Sequence, residues 1–465
     1  MGRNNQQRRA EKRRKDARRA SHHAPPGRAG EGGHDHTHER RVPREQDLVP
    51  LVIEAAMSAS GSRQDVRRFE IACGSLTAIE LDPAAPSRPT AVIAALLDQH
   101  LDDLFEHGWQ PADVAHAVKR EWKVKAARLV IGAIAAAARR TNAPTRAPQP
   151  WLDQLADLGA FDVDRRVVVG GQDDHVVRWR RTERLHPDET ITIGLQVLSF
   201  VLGAPKLSIL VDPPSAWGAS NRGIAAAPAT NIGDVDAKAL KVIRALLAKA
   251  EATTFDAEAE AFTVKAQELM TRHSIDAAVV ASAAHSGDRT SGIESRRIHI
   301  DSPYADEKAT FLSIIGNVNG VRSVWLQWAG FVTLMGFPID LHLTDVLFTS
   351  LLVQATAAST EATTRDPRQR TPSFRRAFLI SYAHRIGERL EATKMHAESD
   401  AQATYGSSLL PILADRAAAV EEAYDRAFPN ATPMKRRSFD ALGWHAGRTA
   451  AERAQIGAGE AIDRP

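Results

Sequence analysis

The chain has a single cysteine, Cys73, among its 465 residues. One thiol cannot form an intrachain disulfide, nor can it supply the several thiolates of a structural zinc site. Disulfide-scaffold and zinc-finger classes are therefore excluded, and the scarcity of cysteine is typical of a reducing cytoplasm. Because Cys73 lies in an apolar-leaning stretch without residues that activate a thiol, we interpret it as a buried structural group.

Long apolar segments are also missing. The longest apolar run, Leu129–Ala138, is bounded by Arg128 and Arg139, and it is only about half as long as a membrane-spanning helix. Residues 1–20 lack the apolar segment of a secretory signal peptide. We therefore expect a cytoplasmic protein without membrane association.

Sequence motifs of the common catalytic classes are absent. The chain has no Gly-x-Ser-x-Gly, no phosphate-binding loop, no dinucleotide fingerprint and no His-Glu-x-x-His. We predict no cofactor and find no evident small-molecule substrate. The sequence leaves enzymatic activity open and favours a binding protein.

Positive charge is concentrated at the start of the chain. Residues 1–20 carry a balance of +7, which leaves −4 for residues 21–465 against a total of +3. We call residues 1–44 the basic arm; its richness in Arg, Gly, Pro and His and its poverty in large apolar residues predict disorder. Such a block attracts DNA or RNA weakly, by charge alone. The cations that we expect to contact phosphates are Arg8, Arg9, Lys12, Arg13, Arg14, Lys15, Arg18 and Arg19.

Apolar periodicity after the arm predicts a mainly α protein. Thr90–Glu106 carries a broad apolar face, and helices are predicted over Pro111–Trp122 and Lys125–Arg140. These last two helices fit either a structural bundle or a helix-turn-helix in which Lys125 and Arg128 would face DNA.

The C-terminal part predicts a small α+β domain. Val321–Trp328 and Phe331–Ile339 have the pattern of a β-hairpin with Ala329-Gly330 at its turn, and long helices follow. The chain is thus expected to be mainly α and multidomain. Its predicted regions are a disordered basic, His-rich tail (1–44), a helical domain (46–140), a small mixed, mostly helical region (151–214), an αα-hairpin (234–280) and an α+β domain (297–460).

The central hairpin has the clearest pattern in the chain. Asp236–Ala252 and Asp256–His273 are two amphipathic helices joined by a turn so short that the helices must lie antiparallel. The runs Ala239–Glu251, Glu258–Phe262 and Lys265–Met270 resemble the domain-of-unknown-function 2786 family, of the bacterial, actinobacterial type. The resemblance covers residues 236–276 and implies no activity, cofactor or site residue, because none is established for the family.

A weaker resemblance extends to the C-terminus. The Gly336-Phe337 turn and the segments Ser373–Phe378 and Gly443–Arg448 are similar to the companion domain of unknown function, number 7168, that commonly follows the first. We therefore expect this companion domain from about residue 297 onward.

Two groups of residues in the C-terminal part could carry chemistry. Carboxylates and imidazoles at Asp340, His342 and Asp345, and at His384 and Glu388 four residues apart on a helix, are usable metal ligands if they converge. The structural alternatives are that Asp340 caps the following helix, that His342 lines it, and that His384 and Glu388 form an ordinary surface pair. Arg375 and Arg376 end an arginine-rich stretch that could contact nucleic acid.

Three functions follow as hypotheses. The first is a non-catalytic, cytoplasmic, nucleic-acid-associated protein that binds through the basic arm. The second is a metal-dependent hydrolase with its site in the C-terminal domain. The third is a protein-interaction scaffold that docks a protein partner on the hairpin over residues 236–276.

Overall fold

A computed structural model gives the structure of the protein, and it describes residues 45–60, 63–162, 168–169, 172–218, 241–249, 256–283, 290, 292–431 and 440–453. The predictions for the basic arm, including the eight cations expected to contact phosphates, lie outside these residues. Within them the fold is mainly α with a small antiparallel sheet, so the predicted fold class is confirmed.

The first half of the described chain is a helical bundle around one hydrophobic core. Leu97, Trp109, Leu129 and Leu195 are among its fully buried members. Proline occupies the first turn of several helices, where its missing N–H would have no helical partner. The helices are α1 (Glu45–Met57), α2 (Arg63–Leu81), α3 (Pro89–Glu106), α4 (Pro111–Arg140), α5 (Ala143–Arg146), α6 (Gln149–Asp157), α7 (His175–Glu183) and α8 (Pro187–Gly203).

Helix α4 is interrupted at Lys123, whose φ of 73° is not helical. The two helices predicted for this stretch are therefore joined through a kink and not through a helix-turn-helix turn. Lys125 lies 3.6 Å from Glu189, and Arg128 donates to Glu183 over 2.8 Å. Both cations of the supposed recognition helix thus belong to ion pairs of the bundle.

The region before α7 contains little strand. It forms only the two-residue strands β1 (Val168–Val169) and β2 (Gln172–Asp173). Helix α7 was not predicted, although the Asp174 carboxylate accepts from the backbone N–H of Val177 and caps it. An Asp before a short apolar run was the signal that could have found this helix.

The sheet in the second half of the chain is made of β3 (Glu294–His299), β4 (Arg322–Leu326) and β5 (Phe331–Gly336), in the order β3-β5-β4. The predicted hairpin is confirmed as β4 and β5. Strand β3 was missed because its charged residues do not alternate with apolar ones; it pairs antiparallel with β5, with Arg297 opposite Thr333.

The sheet lies between two cores. Phe331 packs into the core of the N-terminal bundle, whereas Val332 and Leu334 on the opposite face pack into the C-terminal core. The C-terminal core is completed by α9 (241–249), α10 (Asp256–Ala283), α11 (Ala305–Val318), α12 (Pro338–Arg365), α13 (Pro372–Tyr405) and α15 (Ala441–Arg453). The remaining helix, α14 (Leu409–Ala427), contacts α10 outside this core.

The helices of the predicted hairpin are packed into this C-terminal core. Ile243 and Leu247 of α9 are 1% and 2% exposed, and Ala266 and Met270 of α10 are fully buried. The apolar stripe that was considered as a docking face for a partner is therefore covered by the protein's own helices.

Helices α13 and α15 have the most extensive contact between elements of the described chain. A Cβ atom on Gly443 would overlap the carbonyl oxygen of Phe374, and one on Gly447 would overlap that of Phe378. Because glycine has no side chain, these two glycines, four residues apart on α15, allow the backbones of α13 and α15 to touch. The segments Ser373–Phe378 and Gly443–Arg448, which carry the weaker family resemblance, are thus packed against each other.

Helix α12 is long and apolar enough, by length and composition alone, to cross a membrane. Of the 18 residues in its most apolar stretch, 44% are buried inside the protein. The core helix of a soluble protein can have the same length and composition. No other helix of the described residues meets it.

Candidate functional site

The three predicted metal ligands on α12 contact three different parts of the fold. Asp340 is 3% exposed. Its carboxylate accepts from the Ser274 hydroxyl of α10 and from the Arg416 guanidinium of α14, each over 2.7 Å. Because Arg416 also covers the ring of Phe337 at 3.8 Å, Asp340 ties α10 and α14 to the start of α12.

His342 and Asp345 make the other contacts of this turn. Arg244 of α9 lies 2.8 Å from His342 Nε2. Burial, followed by the charges of Arg244 and Arg296, lowers the pKa of His342 to about 4. The imidazole is therefore neutral at pH 7 and accepts from Arg244. Asp345 pairs with Arg296 of β3 at 3.5 Å.

His384 and Glu388 share a face of α13, but their partners belong to the contact with α15. The exposed His384 ring lies 6.0 Å from that of Trp444. Glu388 accepts two hydrogen bonds from Arg448 and one from Arg385, which hold the pKa of its carboxyl below the usual range.

The five predicted metal ligands contact different parts of the fold, so they do not form one metal centre. In the described part of the chain, no group of three or more His, Cys, Asp or Glu residues could hold a metal ion. The side chains of Asp340, His342 and Asp345 instead dock α9, α10, α14 and β3 around the first turns of α12.

The arginine-rich stretch before α13 is partly neutralised. Arg365 pairs with Glu361 at 2.5 Å, and Arg376 lies 3.8 Å from Glu307. Arg375 is half-buried on the first turn of α13. The predicted pair Arg375 and Arg376 therefore adds less available charge than the sequence suggested.

Sequence reasoning missed the basic outer face of α9. Lys241, Arg244 and Lys249 are exposed there, whereas Ile243 and Leu247 are buried. At about 100° per residue, Lys241 and Lys249 lie on the side opposite to the buried pair, and Arg244 lies on its flank. The spacing of these cations against the apolar stripe was the signal that could have found them.

A second missed group joins the N-terminal bundle to the sheet. The buried Asp113 of α4 accepts from Arg297 over 2.5 Å and lies 2.9 Å from His299 Nε2. Burial raises the pKa of Asp113, but the His299 hydrogen bond and the Arg297 charge outweigh it and hold the pKa below its usual value. The His116 ring lies 4.9 Å from that of His299, and burial, followed by the His299 charge, lowers its pKa to about 4.

An open cleft of about 430 Å³ lies between α2, α3 and α7. Its acidic wall is Glu80, whose carboxylate accepts from the Thr90 backbone N–H and hydroxyl and lies 3.5 Å from Arg180. Asp174, the other carboxylate that lines the cleft, caps α7. Both carboxylates are therefore engaged at the starts of helices.

One segment of the chain matches a known protein family. Residues 238–277 match the family described as protein of unknown function (DUF2786). No curated protein and no solved structure matches the chain. The matched segment includes α9 and most of α10, and it covers less than a tenth of the chain. Over residues 238–277 the chain therefore carries the region that characterises this family, and the resemblance inferred for the central hairpin is confirmed.

Proposed function

We propose that the protein is a non-catalytic, cytoplasmic binding protein that associates with nucleic acid through its basic arm. The observation that carries the proposal is the charge of +7 in residues 1–20 on a chain whose remainder carries −4. Cations that neutralise phosphates release condensed counterions, and this favours binding without reading base sequence. Dissociation constants of about 10⁻⁴ to 10⁻⁶ M at physiological salt are typical of such binding.

The described residues support a binding role over a catalytic one. Asp340, His342, Asp345 and Glu388 are each held by an arginine, so these side chains serve to dock helices and strands. The helical hairpin buries its apolar stripe, and this removes the reason to regard it as a protein-docking face.

A finer family assignment belongs to the same proposal. We infer that the residues from about 297 onward form the companion domain of unknown function 7168, in a protein of the actinobacterial type. The support is the packing of Ser373–Phe378 on Gly443–Arg448, because both segments carry the similarity and depend on each other for this contact.

Gel retardation of labelled 30-base-pair DNA and of RNA at about 50 mM salt tests the proposed function. The full chain is compared with a variant in which the eight arm cations that we expect to contact phosphates, from Arg8 to Arg19, are replaced by Gln. We expect the full chain to retard both nucleic acids and the neutralised variant to retard them at much higher protein concentration.

The matched control is a full chain whose first 20 residues are shuffled, so that the charge is kept and the order is lost. Because the attraction is Coulombic, the shuffled arm should bind as well as the natural one. Failure of the full chain to retard either nucleic acid would overturn the proposal, and so would binding that survives neutralisation of the arm.

A further inference from the structure

The outer face of α9 is a fixed basic surface. Ile243 and Leu247 anchor the helix in the C-terminal core, and Arg244 lies against His342 of α12. At about 1.5 Å per residue, Lys241 and Lys249 are roughly 12 Å apart along the helix axis. We call Lys241, Arg244 and Lys249 the α9 basic face.

Some of the other exposed cations of the described chain have carboxylate partners close by. Lys265 lies 3.0 Å from Glu268, and Arg426 lies 2.7 Å from Glu422. No described carboxylate pairs in this way with a cation of the α9 basic face, because Arg244 meets a neutral imidazole and Lys249 lies 5.5 Å from the ring of Phe262. Arg296 of β3 adds a further guanidinium beside His342 and shares it with Asp345.

The chemistry of this face favours the backbone of duplex DNA. Along the axis of α9, neighbouring cations of the face are separated by about one to two times the distance between phosphates. Phosphates of one strand follow one another at about 3.4 Å along the duplex axis. Proteins that hold single strands stack bases on exposed aromatic rings. The exposed residues of α9, which are Lys, Val, Arg and Ala, include no aromatic side chain.

We propose that the α9 basic face is a second phosphate-contacting surface, which holds the backbone of duplex DNA while the basic arm binds elsewhere along it. This inference rests on the proposed function. It assigns a binding role to the outer side of the segment that carries the family match, whereas the inner side of that segment docks it on the C-terminal core.

The test measures the affinity of the full chain for a labelled 30-base-pair duplex over a series of salt concentrations. The variant Lys241→Gln/Lys249→Gln removes two cations of the face and keeps Arg244, which contacts α12. Losing two phosphate contacts should make the negative slope of log K against log salt shallower by about 1.8. The variant should melt at the wild-type temperature, because both side chains are exposed.

Lys265→Gln/Arg426→Gln is the matched control, since it removes two exposed cations that already pair with carboxylates. It should keep the wild-type slope. A slope that is unchanged in Lys241→Gln/Lys249→Gln but reduced by neutralising the arm would overturn the α9 surface and leave the proposed function standing. Failure of the wild-type chain to bind any nucleic acid would overturn both.

The same variants are measured with single-stranded oligo-dT, with duplex RNA and with phosphatidylserine vesicles. A loss on oligo-dT or duplex RNA as large as the loss on duplex DNA would overturn the assignment to duplex DNA. Vesicle binding that depends on Lys241 and Lys249, together with DNA binding that does not, would assign the face to a lipid surface and overturn the proposal.

Discussion

Arg297 of β3 donates to the carboxylate of Asp113 on α4 over 2.5 Å, across 184 residues of sequence. The two side chains are only 4% and 1% exposed. The same guanidinium donates to the backbone carbonyls of Gly108 and Ser208, and Asp113 also accepts from the backbone N–H of Gln110 at the start of α4. One buried pair therefore caps a helix of the N-terminal bundle and fixes the sheet against it.

Asp113→Asn should destabilise the protein strongly, because it leaves the Arg297 charge buried without its partner. We expect a loss of about 3–5 kcal/mol in the free energy of unfolding, measured by urea denaturation at pH 7. The matched control is Glu421→Gln, which breaks the exposed 2.9 Å pair with Arg322 and should cost about 0–1 kcal/mol. Equal effects of the two substitutions would contradict a structural role for the buried pair.

Two glycines of α15 should be irreplaceable by alanine. In Gly447→Ala the new methyl group would overlap the carbonyl oxygen of Phe378, so α15 must move away from α13, at a cost of about 1–3 kcal/mol. Gly443→Ala should act in the same direction through Phe374. Thermal melting measures the cost, and limited proteolysis reports whether α15 detaches.

Gly74→Ala is the control for this prediction, because Gly74 lies inside α2 and a Cβ atom there would meet nothing within 4 Å. It should stabilise the protein by about 0.5–1 kcal/mol through helix propensity alone. If Gly447→Ala also stabilised the protein, the close approach of α13 and α15 would be wrong.

His175 should make the protein less stable in acid. Its side chain is fully buried, and neither ring nitrogen makes a hydrogen bond to a described residue, although Nδ1 lies 3.7 Å from Asp98 Oδ1. Burial, followed by the charges of Arg178 and Arg140, lowers its pKa to about 3 from 6.5. Below pH 6.5 the unfolded chain takes up a proton that the folded chain refuses, so stability falls as pH drops from 6.5 towards 3.

His175→Leu should therefore reduce the loss of unfolding free energy between pH 6.5 and 4 by about 3 kcal/mol. His116 and His342 act in the same direction, and the raised pKa values of Asp98 and Asp174 oppose them. The informative quantity is thus the difference between the variant and the wild type. Val176→Ala, a neighbouring buried position without a titratable group, should lower stability equally at every pH, and a parallel curve for His175→Leu as well would contradict this account.

Local signals were sufficient for most of the fold. The apolar periodicity of Thr90–Glu106 predicted a helix close to the observed bounds of α3. Strand β3 could not be predicted, because Arg296 and Arg297 belong in a strand only through Asp345 and Asp113, which are distant in the sequence. Tertiary ion pairs replace the apolar alternation that strand prediction needs.

The candidate site was less predictable than the fold. Residue types and helical spacing suggested Asp340, His342 and Asp345 as metal ligands, but spacing along one helix does not tell which elements surround it. Their partners, Arg244 on α9 and Arg416 on α14 among them, come from segments far apart in the chain. An acidic or imidazole group surrounded by arginine is a structural contact, whereas the same group surrounded by carboxylates would favour a metal.

The salt dependence of DNA affinity tests the central claim most directly. Fluorescence anisotropy of a labelled 30-base-pair duplex is measured for the full chain between about 50 and 200 mM salt, and then for the chain whose arm cations are replaced by Gln. The account predicts a steep negative slope of log K against log salt that becomes much shallower when the arm is neutralised. An affinity that does not change with salt, or a slope that is the same in both proteins, would contradict it.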